Sequence, residues 1–116
     1  MKARPKTAHG VDFRSTTEAN FAAYLEGRKP GNHRWYYEPV KFQLVGRGKS
    51  GVAYTPDFMV VDEDRISFYE VKGSWRARGA SSTRKSLKMA AALYPMFYWY
   101  GVNPVKKGWH IEEFVP

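Results

Sequence analysis

The chain has 116 residues, a formal net charge of +8 and no cysteine. That length fits one domain built on a single core, and the lack of thiols excludes disulfides, thiolate zinc sites and cysteine nucleophiles and is compatible with a reducing cytoplasm. No apolar run reaches the ~18 residues that a transmembrane helix needs, so no membrane span is expected.

In chain order, residues 1–14 read as a loose basic arm containing Pro5 and Gly10, and residues 15–116 as one domain. Nothing apolar follows Met1-Lys2-Ala3-Arg4-Pro5-Lys6, so the start does not resemble a secretory signal. Ser15-Thr16-Thr17-Glu18 has the spacing of a capping box, which predicts a helix from Ser15 to about Gly27. Glu18 is followed three, four and seven residues on by Phe21, Ala22 and Leu25, so it shares their apolar face. The capping box accounts for a Glu at this position. It does not account for a core-facing one, which suits a metal ligand better.

Trp35–Val45 is strand-like, with a break or bulge at Pro39. The Gly48-Lys49-Ser50 that follows lacks the upstream glycine of a phosphate loop, because Gln43 stands five residues before Gly48. Ala53–Val61 and Ile66–Lys72 read as strands joined by a turn at Asp62–Arg65. A second helix is expected from Ser81 or Ser82 to about Tyr94, ended by Pro95, with Leu87, Ala90, Ala91 and Tyr94 facing the core. Met96–Tyr100 and Trp109–Phe114 close the chain as strands. The fold class is mixed α/β (α+β), with a small, mainly antiparallel sheet.

Asp57, Glu70 and Lys72 interrupt strand-forming runs of Val, Ile, Phe and Tyr. Charges buried in a sheet are costly unless they pair or bind a metal. One reading is therefore an internal salt-bridge set, which leaves one carboxylate unpaired. The other is a metal site, in which Asp57 and Glu70 come together when the hairpin folds back. Oxygen-only ligands suit Mg²⁺ or Mn²⁺ rather than zinc. Lys72 then serves beside the water or the phosphate, as charge stabiliser or as base. His9, His33 and His110 have no metal spacing and read as surface or packing residues.

No Asp or Glu occurs between Val71 and Ile111, a span that contains Lys72, Arg76, Arg78, Arg84, Lys85, Lys88, Lys106 and Lys107. A one-sided basic half points to a polyanion, nucleic acid first and an acidic membrane surface second. Arg76, Arg78, Arg84, Lys85 and Lys88 are the candidate phosphate-backbone contacts. Trp75 is either a base-stacking residue or a packing one.

Pro56-Asp57, then twelve residues, then Glu70-Val71-Lys72 resembles the signature of the PD-(D/E)xK nuclease superfamily. Within it, the chain is similar to the phage endonuclease I family of Holliday junction resolvases. Tyr36-Tyr37-Glu38, Tyr54-Thr55-Pro56-Asp57-Phe58, Glu70-Val71-Lys72-Gly73, Arg84-Lys85 and Tyr94-Pro95 carry that resemblance, which covers roughly residues 15–100. It implies a restriction-endonuclease-like core of helix, three-stranded meander, helix and strand. It also implies a metal held by Asp57, Glu70 and the backbone carbonyl of Val71, with Glu18 serving a second metal and Lys72 as the active-site lysine. The implied activity is that of a Mg²⁺-dependent endodeoxyribonuclease cutting branched DNA. A homodimer and cytoplasmic action of a phage protein in its host cell follow from the same resemblance. The competing expectations are a non-catalytic nucleic-acid-binding module on the same fold and a nuclease directed at RNA.

Overall fold

The computed structural model describes residues 7–28, 33–44, 52–74 and 80–116. Thr7–Ala8 (β1) pairs antiparallel with Val11–Asp12 (β2), across a turn where His9 and Gly10 take φ of 54° and 75°. Phe13 follows and is buried among Phe58, Trp35 and Tyr37. Residues 7–14 are therefore fastened to the core rather than forming part of a loose arm, because one large aromatic in a basic, polar stretch suffices to anchor it. A buried Phe stabilises by about 1.5–3 kcal/mol.

Thr16–Gly27 (α1) begins as its sequence predicts. The Ser15 hydroxyl accepts from the Glu18 N–H at 3.1 Å, and the Glu18 carboxylate accepts from the Ser15 N–H at 3.1 Å. Phe21, Ala22 and Leu25 are buried, and Glu18 is buried beside them.

The next two expected strands form one bent ribbon. Arg34–Tyr37 (β3) and Phe42–Leu44 (β4) run out, and Val52–Tyr54 (β5) and Phe58–Val61 (β6) run back. Tyr37 pairs with Phe58 and Phe42 with Tyr54, so four residues, 38–41, oppose three, 55–57. The surplus residue makes a bulge. Glu38 takes a left-handed φ of 47° there, ahead of Pro39, which has no N–H to donate to a ladder. Each long expected strand is thus two short ones, with β4–β5 forming a separate two-stranded sheet.

The Asp62 N–H donates to the Arg65 carbonyl at 3.0 Å, closing the turn into Ile66–Val71 (β7), antiparallel to β6. Ala80–Leu93 (α2) then crosses over to Tyr98–Val105 (β8), parallel to β7, and Gly108–Phe114 (β9) returns antiparallel to β8. Ser81 and Ser82 lie inside α2 rather than ahead of it. The five-stranded sheet has the order β3-β6-β7-β8-β9, a mixed sheet in an α+β arrangement.

Alternation along the strands divides the core into two layers. On one face Phe21, Ala22 and Leu25 of α1 pack on Phe58, Val60, Val71 and Val102. On the other, Leu87, Ala90 and Ala91 of α2 pack with Phe42, Leu44, Phe68, Trp99 and Phe114. Tyr94 joins this second layer as its helical spacing predicts, and Phe97, just ahead of β8, joins it too. Among the described residues no helix is long and apolar enough to cross a membrane.

Candidate active site

The site lies where the ribbon bends and the sheet ends. The last β6–β7 pair is Phe58↔Tyr69, so one step further brings Asp57 opposite Glu70. Asp57 is only 2% exposed. Its Oδ2 accepts from the Val71 N–H at 2.8 Å, and its carbonyl accepts from the Glu38 N–H at 2.8 Å. Glu70 is fixed from the other layer, where the Tyr54 hydroxyl donates to its Oε1 at 2.8 Å. Glu18 arrives from the first turn of α1, and the Tyr37 hydroxyl donates to its Oε1 at 2.9 Å.

Carboxylate oxygens of Glu18, Glu38 and Asp57 lie within 4.8 Å of one another. Glu70 is outside that group of three but is coupled to Asp57 through its charge. Two residues unassigned from the sequence therefore belong to the cluster. Glu38 is brought in by the bulge. Arg14 forms a salt bridge with Glu38 Oε2, lies 3.8 Å from Asp57 Oδ1, and donates its backbone N–H to the Tyr37 hydroxyl at 3.2 Å. A carboxylate directly before a proline, between two strand-like runs, is the signal that marks Glu38. Arg14 has no comparable signal, because its role arises from a contact 24 residues away.

Burial dominates the electrostatics. It pushes the Asp57 carboxyl far above the usual carboxylate range, the charge of Glu70 adds to this, and the Val71 N–H partly opposes it. Burial also raises Glu70, against the Tyr54 hydroxyl and the Lys72 charge, both of which favour its ionised form. Tyr54 is pushed up by burial and by Glu70, and Tyr37 is raised to about 12, mainly by burial. Both phenols thus remain protonated donors near neutral pH. Hydrogen bonding to Tyr37 is the main reason that Arg14 is held above its ordinary value, with the charge of Glu38 adding to it.

The other expected site residues divide clearly. Lys72 is half-buried one residue beyond β7, and its N–H donates to the Val102 carbonyl at 2.8 Å. Val71 is buried and gives its N–H to Asp57. Arg84 forms a two-pronged pair with Glu112, at 2.7 and 3.1 Å, over the Phe114 ring. This pair ties Arg84, one of the expected phosphate contacts, to β9. Lys85 and Lys88 are exposed on α2. Trp75, Arg76 and Arg78 lie outside the described residues, as does the Gly46–Gly51 loop. His9 and His110 are exposed, while His33 is half-buried against Asp62.

Comparison with family models, with curated proteins and with solved structures finds no match.

Proposed function

We propose that this chain is a metal-dependent endodeoxyribonuclease with a restriction-endonuclease-like core, hydrolysing DNA phosphodiester bonds with a preference for branched DNA. The observation that carries the reading is the opposition of buried Asp57 and Glu70 on neighbouring strands, with Glu18 and Glu38 converging on Asp57. A structural salt-bridge set accounts for this poorly, because four carboxylates gather around one nearby guanidinium and one ammonium.

The donor set fits a hard divalent cation, being all oxygen and crowded enough that burial and mutual repulsion hold its protons on. Asp57 and Glu70 would hold Mg²⁺ or Mn²⁺, with Glu18 beside them and the Val71 carbonyl assigned by the resemblance. Such an ion supplies Lewis-acid polarisation of a phosphate oxygen and lowers the pKa of a bound water. The chain's own groups do the rest. Tyr54 favours ionised Glu70, and Tyr37 orients Glu18. Lys72 places positive charge next to Glu70, where it offsets negative charge on the reacting phosphate. Lys85 and Lys88, exposed on α2, with Arg76 and Arg78, are assigned to the DNA backbone. The branched-substrate preference and a homodimer with two sites rest on the likeness to junction resolvases.

The test is incubation with four-way junction, flap, linear duplex and RNA in Mg²⁺. Cleavage of branched DNA is expected, abolished by EDTA and reduced roughly 10²–10³-fold by Asp57→Ala or Lys72→Ala. Full activity in both variants refutes the site. Salt-sensitive binding with no cleavage identifies a non-catalytic binding module instead.

A further inference from the structure

The carboxylate cluster repels the group on which it is proposed to work. Oxygens of Glu18, Glu38 and Asp57 lie within 4.8 Å of one another, and the charge of Glu70 acts on Asp57. A phosphodiester brought here needs cations at close range. Lys72 supplies one beside Glu70. Arg14 supplies another beside Glu38 and Asp57.

The placement of Arg14 is fixed by its neighbours. Phe13 before it is buried, and Ser15 after it caps α1. The Arg14 N–H donates to the Tyr37 hydroxyl at 3.2 Å, and that hydroxyl donates to Glu18 at 2.9 Å. From this fixed base the side chain runs to the rim of the site. It is 68% exposed, against 3% for the Asp57 side chain that it faces, so a ligand reaches the guanidinium from solvent. Asp57 Oδ2 is engaged by the Val71 N–H, which leaves Oδ1 as the oxygen turned to the cluster. Arg14 Nη2 lies 3.8 Å from Oδ1. That is too long for a hydrogen bond, so Arg14 adds charge beside Oδ1 without occupying it. Stability accounts poorly for the pair with Glu38. An exposed ion pair contributes little, and Glu38 takes a left-handed φ of 47°, which is unfavourable for a non-glycine residue.

We propose that Arg14 is a phosphate-binding residue of this site: its guanidinium, held at the rim by Glu38, contacts the DNA phosphate that lies at the Asp57 and Glu70 carboxylates. The planar fork of N–H donors matches phosphate oxygens as a lysine ammonium does not. With Lys72 beside Glu70 and Arg14 beside Asp57, the phosphate meets a cation next to each of the two opposed carboxylates. The identity of the polyanion rests on the nuclease reading, but the contact itself does not require cleavage.

The test measures binding with Ca²⁺ in place of Mg²⁺, to four-way-junction DNA in which one phosphate at a time is replaced by an uncharged methylphosphonate. Arg14→Gln should weaken binding of the unmodified junction about tenfold, equivalent to 1.4 kcal/mol. It should cost almost nothing on the junction that is neutral at one particular phosphate. Such non-additivity at a single position marks a direct contact. Arg14→Lys keeps the charge but not the fork, and should lose about threefold on unmodified DNA, with the loss vanishing at the same phosphate. The exposure of the side chain leaves the core untouched by either change. Lys85→Gln is the control, and should weaken the unmodified and the singly neutral junction by the same factor. Arg14 variants that bind the unmodified junction as the wild type does, or that weaken every DNA equally, overturn the proposal. Non-additivity at one phosphate without metal-dependent cleavage of any DNA leaves the contact standing and refutes the nuclease reading. Cleavage in Mg²⁺ with additivity at every phosphate does the reverse, and a wild-type chain that does not bind the junction refutes both.

Discussion

Replacing Asp57 by Asn tests the electrostatics of the site without touching its shape. Burial and the charge of Glu70 push the Asp57 carboxyl up to about 9, against an ordinary value of 3.8. Glu70 rises from 4.5 to about 7. A carboxyl raised on folding keeps its proton where the unfolded chain has lost it. The folded state therefore binds more protons, and stability falls as pH climbs from the unfolded value to the folded one. Well below pH 4, where both states hold these protons, neither group contributes to the slope. Between pH 7 and 9 Asp57 contributes most of the loss and the end of the Glu70 titration the rest, and two units at ~1.4 kcal/mol each amount to about 3 kcal/mol. Urea denaturation of the metal-free protein at pH 5, 7 and 9 reads this directly. The wild type should lose stability throughout and the Asp57→Asn protein should level off above pH 7, keeping the Val71 N–H bond through its amide oxygen. Mg²⁺ at pH 9 should restore the wild type, because binding to the folded state stabilises it by mass action, and should do little for the variant. A wild type equally stable at pH 7 and 9, or a variant that declines as steeply, refutes the reasoning.

Two further outcomes follow from single contacts. Tyr54→Phe removes the hydroxyl that favours ionised Glu70, so the acid limb of the pH–rate profile should move up by about one unit, with activity recovering at higher pH. An unmoved limb removes Tyr54 from the site. On α2, Lys85→Gln and Lys88→Gln should each flatten the log–log salt dependence of DNA binding by about 0.9. Arg84→Gln should instead cost up to about 1 kcal/mol of stability through the lost Glu112 pair, with little change in that slope. Equal slopes for all three place the DNA elsewhere.

What local chemistry controls was legible in the sequence. The Ser15–Glu18 capping box set the start of α1 and aimed Glu18 inward. The acidic turn at Asp62–Arg65 set the β6–β7 hairpin, and helical spacing picked Leu87, Ala90 and Ala91 for the core of α2. What depends on one residue more or less was legible only in part. Pro39 marked a break or bulge, but not that the surplus residue at 38–41 splits the ribbon, turns β4–β5 into its own two-stranded sheet and carries Glu38 into the cluster. Contacts that span the chain were equally hidden. Arg14 reaches Glu38, and Arg84 finds Glu112 28 residues on, so a count of basic residues does not show where each cation is held. Phe13 shows the same limit in the other direction, since the charge around it outweighs a single aromatic in any compositional reading but not in the packed core.

The parallel pairing of β7 with β8 has a consequence for when the site exists. The backbone at Val71–Lys72 is pinned twice, by Asp57 on one side and by the Val102 carbonyl on the other. The first tie needs only a local hairpin, which forms in microseconds. The second requires the whole of α2 to be made and docked, and such non-local pairing is slow. During synthesis, a ribosome-bound chain that has emerged only as far as α2 therefore carries all of the cluster's carboxylates but lacks the strand that fixes the segment bearing Glu70 and Lys72. The segment bearing Glu70 and Lys72 is held on both sides only once β8, close to the C-terminus, has joined the sheet.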